Sequence, residues 1–271
     1  MADPLRYPLQ RTNTRDLSGY EGPIDVWDID NTYLLTKFER LRDLLMRAFE
    51  GADDKRARPG AVQLMRGLRR GAGGADRNTP LYFVSASPPQ LRSVLEEKMR
   101  KDGVVFDGIA FKDHLSLLAG GRLRDLRRHT PYKLAALLEY RCEWSPSARE
   151  WLYGDDTESD ARIYSIYAEI RAKTLLGKAL DKRLDELRVR KDEREGIIAL
   201  ADRANELSPP PPEGSVQAIY IFAASDKPPL NINDYTRVVH VKDALFLARI
   251  LEARGRIDPS TVEMVAHDVE G

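Results

Sequence analysis

Asp28 and Asp30 stand two residues apart in the run Asp28-Ile29-Asp30-Asn31-Thr32, directly after a short apolar segment. In extended chain, positions two apart point the same way, so both carboxylates would project into one site. Carboxylates that close repel unless a cation or a shared proton separates them, which makes a divalent metal a natural third party. An Asp pair in a turn or a cap would read the same at this level. Ser85-Ala86-Ser87 follows a second apolar run and precedes Pro88. A small hydroxyl and backbone amides at the mouth of a helix suit a phosphate; a plain serine N-cap is the alternative. Lys133 lies near a helix start, where a cation is unfavourable against the helix dipole, although a surface lysine is the ordinary explanation. Gly154-Asp155-Asp156-Thr157-Glu158-Ser159-Asp160 places several acids at a strand end. Magnesium prefers hard oxygen ligands and keeps several waters, so it needs only one or two of these beside the carboxylates of the first strand. An Asp-capped helix starting near Asp160 would account for the same residues.

These clusters need elements to bring them together, and the hydropathy pattern supplies them. Ile24 to Ile29 reads as a strand broken by Asp25 and Asp28, and Leu81 to Val84 as a second. Val104 to Phe111, Trp151 to Tyr153, Val216 to Phe222 and Val238 to Val241 continue the series. Phe38, Leu41, Leu44, Leu45 and Phe49 have helical spacing within Lys37 to Phe49, and Pro59 sits where proline favours the first turn of a helix carrying Val62, Leu64, Met65 and Leu68. Further helices are expected from Pro88 to about Met99, from Pro131 to Tyr140 and from Ala244 to Ala253. Residues 160–207 read as helix with a densely charged middle, Asp181 to Glu195, that suits a solvated face. The proline run within Ser208 to Gly214 must end it. Strands alternating with helices imply an α/β fold: a mainly parallel sheet covered on both faces, with ligands bound outside the carboxyl ends of the strands. All four clusters fall at such ends or at helix starts.

The 43 basic and 43 acidic residues cancel, so the overall charge gives no strong nucleic-acid signal and advertises no acidic membrane. Arg122, Arg124, Arg127 and Arg128 form a local basic cluster near Lys133 that could meet an anionic substrate or simply be a solvated face. Cys142 is the single cysteine, which excludes an intramolecular disulfide framework and fits a reducing compartment, with the cytoplasm as the expectation. His114, His129, His240 and His267 lack a Cys or His partner at metal-ligand spacing, which argues against zinc. No transmembrane segment is expected, since no run approaches the roughly 18 apolar residues of a span, and MADPLRYPLQRTNTRD does not read as a secretory signal.

The order of the four clusters resembles the signature motifs of the haloacid dehalogenase (HAD) superfamily. DIDNT is similar to its Asp-x-Asp-x-Thr motif, VSAS to its strand-then-Ser/Thr motif, Lys133 to its motif lysine and GDDTESD to its metal-binding motif. The nearer likeness is to the catalytic domain of the actin-patch-associated phosphatidate phosphatases and their bacterial relatives, carried by VSASP (84–88), FKD (111–113), Lys133 and the block from Gly154 through Asp160 to Tyr164. Asn31 departs from that family's usual third Asp, and residues 170–214 insert charged helix and polyproline before the next strand. The resemblance implies a HAD-like Rossmannoid sheet and a magnesium-dependent phosphomonoester hydrolase. In it Asp28 attacks phosphorus to form an aspartyl-phosphate. Asp30 serves as acid and then base. Ser85, the Ala86 amide and Lys133 hold the phosphoryl oxygens. Mg2+ is held by Asp28, the Asp30 carbonyl and Asp155, with Asp160 orienting its waters or a neighbouring ligand. Lys112, also at a strand end, is the runner-up for the lysine role.

The expected organisation is an irregular leader over residues 1–22, then one catalytic domain over 23–271 with the helical insertion at about 170–214. The intervals from Thr32 to Leu81 and from Pro88 to Pro131 are largely used by the sheet's own helices and one strand, so a capless or minimally capped site is expected, open to a bulky phosphorylated substrate such as a lipid phosphate. A catalytically idle module that docks a protein partner through the 170–214 segment, or a nucleic-acid end phosphatase, is the competing function.

Overall fold

The structure is a computed structural model that describes residues 7, 9–34, 57–74, 76–113, 129–156, 159–223 and 238–271. In chain order its elements are β1 (Leu9–Asn13), β2 (Pro23–Asp28), α1 (Ala61–Arg70), β3 (Leu81–Ser85), α2 (Arg92–Lys101), β4 (Gly108–Lys112), α3 (Thr130–Arg141) and β5 (Arg149–Asp155). There follow α4 (Asp160–Arg171), α5 (Gly177–Glu186), α6 (Lys191–Leu207), β6 (Val216–Phe222), β7 (Val238–Val241), α7 (Ala244–Ala253) and α8 (Pro259–Glu270).

The strands form one sheet in the order β1-β4-β3-β2-β5-β6-β7, parallel throughout except for β1, which runs antiparallel to β4 at one edge. Side chains alternate across this sheet and feed two separate cores. Ile24 and Val26 of β2 join the core covered by α3, α4, α5 and α6, whereas Trp27 joins the one covered by α1, α2, α7 and α8. The chain leaves β2 toward β3 and β4 on one side, then crosses back through α3 to β5 on the other. The carboxyl end of β2 is therefore the topological switch point, where a crevice opens in sheets of this kind.

A polar pair ties the C-terminal helices to the middle of the sheet. Asp25, fully buried in β2, accepts hydrogen bonds from Tyr153 (2.8 Å) and Arg256 (2.9 Å), and the Arg256 guanidinium lies 3.9 Å from the Trp151 ring centre. Burial pushes the Asp25 carboxyl up, and the Arg256 charge offsets only part of that rise. Arg256→Ala would leave that carboxylate buried without its cation, so a loss of ~3–5 kcal/mol in denaturant unfolding is expected. A loss below ~1 kcal/mol, the scale of an exposed ion pair, would show that Arg256 is not Asp25's counterion.

Several sequence expectations need correction. The leader contains β1, whose mixed pattern Leu-Gln-Arg-Thr-Asn carries little hydropathy signal and which finds its ladder only by pairing with β4. The single helix expected over 160–207 is three. Lys173 and Arg188 take left-handed backbone (φ 59° and 57°) at its two breaks, and the hairpin of α5 and α6 folds back to bury Leu180, Leu184, Ile197 and Ala201. β4, expected from Val104, starts only at Gly108, because Asp107 turns its side chain back to the Leu81 N–H and to Arg69. α8 went unread. The helix expected at Lys37 to Phe49, the arginine cluster at 122–128 and His114 lie outside the described residues, as do most positions on which a cap could be built. Among the described residues, no helix is long and apolar enough to cross a membrane.

Candidate active site

β2 ends at Asp28, at the switch point, and the chain then winds into a tight turn. Tyr33 and Leu34 donate their N–H groups to the Ile29 carbonyl (3.1 and 2.9 Å), and Asn31 donates to the Leu34 carbonyl (2.7 Å). Asn31 carries the left-handed conformation this turn requires (φ 56°), which asparagine tolerates better than most residues with a Cβ. The departure from a third Asp thus sits where backbone geometry suits Asn.

Asp28, Asp155 and Asp160 are all fully buried, and one carboxylate oxygen from each lies within 4.8 Å of the others. Asp155 closes β5, the neighbour of β2, and Asp160 opens α4, where a carboxylate complements the helix dipole. Gly154 permits that approach: a Cβ there would stand 2.6 Å from the Asp160 Oδ2 and 2.9 Å from the Tyr164 ring. Lys133, in the first turn of α3 behind Pro131, reaches in from the same face of the sheet as Asp28. Its Nζ is 2.8 Å from Asp28 Oδ1 and 2.5 Å from Asp160 Oδ1, with all three side chains at zero exposure. These two contacts offset the unfavourable placement of a cation at a helix N-terminus. Three buried carboxyl groups thus share one neighbourhood with the Lys133 ammonium, a concentration of acidic charge. A divalent cation with hard oxygen ligands fits that donor set and that charge.

Asp30 faces a different group. Ser85 Oγ donates to Asp30 Oδ2 at 3.1 Å, Ser87 Oγ does so at 3.2 Å, and the Ser87 N–H donates to Ser85 Oγ at 3.1 Å. Ser85 ends β3 beside β2, so the second carboxylate is held by hydroxyls at the adjacent strand end. Ala86 is buried between the two serines. The sequence reading thus placed Asp28, Lys133, Asp155 and Asp160 in what is one contact cluster, with Asp30 and Ser85 paired next to it. Asp30's carboxylate is not a member of the acid cluster, and Asp156 is only half-buried and outside it. Lys112 is fully buried at the end of β4, two strands from β2, while Lys133 is the lysine that touches Asp28.

Sequence reasoning assigned no role to Ser87 or to Arg58. Ser87 was legible as the second hydroxyl of the VSASP run. Arg58 carried no such signal, yet its Nη2 donates to the Asn31 carbonyl and its guanidinium lies 4.6 Å from the ring centre of Phe222, which ends β6. Tyr164 backs the cluster; burial, reinforced by the Asp160 charge, holds its phenol well above the usual range and hence neutral.

Fold and site together define a parallel α/β protein with a buried acid-lysine centre at its switch point. Residues 26–176 match the family model described as phosphatidate phosphatase APP1, catalytic domain. The match covers more than half of the chain and includes every residue of the cluster, and the chain belongs to that family. The family implies a phosphatase, a hydrolase of phosphate esters. The match ends before α5, so the charged helical hairpin and the strands and helices beyond it lie outside it. Comparison with curated proteins and with solved structures finds no match.

Proposed function

We propose that the chain is a magnesium-dependent phosphomonoester hydrolase of the HAD type, with Asp28 as nucleophile and a phosphatidate-like lipid phosphate or another bulky phosphomonoester as substrate. The observation that carries this reading is the contact of Lys133 with both Asp28 and Asp160 beside Asp155, at the switch point of a sheet that belongs to a phosphatidate phosphatase family.

In this reading an Asp28 carboxylate oxygen attacks phosphorus, a new O–P bond forms, and the bond from phosphorus to the leaving alcohol oxygen breaks. Asp30 gives its proton to that oxygen; it later takes one from the water that attacks the phosphoryl group on Asp28, releasing inorganic phosphate and the free carboxylate. Ser85 and Ser87 hold Asp30 on the β3 side, which keeps the two carboxylates in separate roles. The Lys133 ammonium, already against Asp28, offers its charge to the phosphoryl oxygens as Asp28 becomes esterified. Asp28, the Asp30 carbonyl, Asp155 and Asp160 would hold magnesium or orient its waters, and the ion supplies charge that offsets the repulsion between an anionic nucleophile and an anionic substrate.

A substrate series tests the reading. Purified chain with magnesium should hydrolyse phosphatidate in detergent micelles at least tenfold more efficiently, in kcat/KM, than small sugar phosphates. High efficiency on sugar phosphates alone would remove the bulky-substrate reading, and no hydrolysis of any phosphomonoester would remove the enzyme reading in favour of an idle phosphate-binding module.

A further inference from the structure

The geometry points to Arg58 as a positioning residue that latches the turn carrying Asp30 onto the catalytic ends of β5 and β6. This rests on the proposed roles of Asp28, Asp30 and Asp155. Arg58 is fixed to the turn twice over. Its backbone N–H donates to the Tyr33 carbonyl at 2.8 Å, and the preceding residue, Ala57, bridges Leu34, which in turn bridges Asp30. Its side chain then crosses the mouth of the crevice. The Nη2 group donates to the carbonyl of Asn31, the residue after Asp30, while the guanidinium packs over Phe222. Phe222 is in register with Asp155, and its carbonyl accepts from the Asp156 N–H at 3.2 Å. One planar side chain thus spans from the β2 turn to the two strands beyond it.

The electrostatics agree with that placement. Burial disfavours the charged guanidinium and lowers its pKa, and the charges of Asp155 and Asp156 act against that shift. An arginine can stack on a ring and donate in its own plane at once, whereas a lysine cannot do both. Holding the Asn31 peptide fixes the backbone next to Asp30 in the left-handed turn, so losing the latch would let the acid-base carboxylate drift relative to Asp28. Misplacement of a reacting group by about 1 Å can cost on the order of a hundredfold in rate. The charge of the same guanidinium acts on Asp155 and so opposes cation binding there. Removing it should therefore slow turnover and tighten magnesium at the same time.

Those opposite signs separate the latch from a merely structural role. Arg58→Ala and Arg58→Lys would be compared with the unaltered chain by steady-state hydrolysis of phosphatidate micelles and by calorimetric titration with magnesium alone. Arg58→Ala is expected to lower kcat roughly tenfold to a hundredfold with KM within about threefold, and to bind magnesium about threefold to tenfold more tightly. Arg58→Lys keeps the charge and loses the fork, so magnesium affinity should return to that of the unaltered chain while kcat stays low. Unchanged kcat in both variants, a rise in KM alone, or weaker magnesium binding in Arg58→Ala would overturn the assignment. If the unaltered chain hydrolyses no phosphomonoester, the functional reading falls on that result alone. Calorimetry then still judges Arg58: tighter magnesium in Arg58→Ala supports the action of its charge on Asp155, and equal or weaker binding refutes it.

Discussion

Asp28→Asn is expected to reduce hydrolysis on the order of ten-thousandfold or more, because the amide has nearly the same shape and is a very poor nucleophile. The fold should survive the change. Asp28 shares the Lys133 ammonium with Asp160 and has two other carboxyl groups within 4.8 Å, so removing its charge relieves repulsion as well as deleting an ion pair. Denaturant unfolding of the variant should thus match or exceed the unaltered chain without magnesium. The contrast between lost turnover and retained stability is the signature to look for in parallel kinetic and unfolding measurements. Activity within tenfold of the unaltered chain would show that another group attacks phosphorus.

Chelation of divalent cations is the second large effect. Asp28, Asp155 and Asp160 converge within 4.8 Å in a fully buried site, with the Lys133 ammonium against two of them. Excess chelator should abolish turnover and magnesium should restore it. Calcium should restore little, because it takes 6–8 oxygen ligands at about 2.3–2.6 Å, where magnesium takes six at about 2.0–2.1 Å, and the looser shell would misplace Asp28. Magnesium should also raise the unfolding midpoint in proportion to the logarithm of its concentration above Kd, since it binds the assembled cluster and not the unfolded chain. Full activity in excess chelator would remove the metal from the account.

Legibility in the sequence followed the physics of each signal. The buried parallel strands β2, β3 and β6 were readable because strands covered on both faces are largely apolar runs, β7 was readable as a short apolar run at the sheet edge, and the strand ends drew attention because parallel sheets present them to ligands. Strand ends and helix starts made Asp28, Ser85, Lys133, Asp155 and Asp160 candidates, each with a structural alternative, and it was their order along the chain and its resemblance to the HAD motifs that joined them into one site. β1 was not readable, since an edge strand of mostly polar residues is specified by its partner β4 more than by its own composition. The breaks at Lys173 and Arg188 were hidden for a related reason. Neither is a Gly or Pro, and the chain turns there because the apolar faces of α5 and α6 pack back against the rest of their core. Arg58 and Arg256 were invisible because their roles depend on partners far along the chain, the Phe222 ring for one and Asp25 for the other. Charge in a loop has no period to read. Asp30 is the intermediate case: its spacing from Asp28 was plain, but only the structure shows its carboxylate held by Ser85 and Ser87 and not among the three clustered acids.

The central claim is that the phosphoryl group resides on Asp28 during turnover, and rapid acid quenching followed by peptide mass mapping tests it most directly. Asp30→Asn removes both the acid for the leaving oxygen and the base for the hydrolytic water, so this variant, mixed with magnesium and an aryl phosphate whose leaving group departs without a proton, should still form the intermediate and accumulate it. The expected result is one added phosphoryl group on the peptide containing Asp28, removed by hydroxylamine as an acyl phosphate should be, and missing when Asp28→Asn is combined with Asp30→Asn. Turnover by the unaltered chain with no phosphorylated peptide in the Asp30→Asn variant, or with the label on a serine or a histidine instead, would contradict the account.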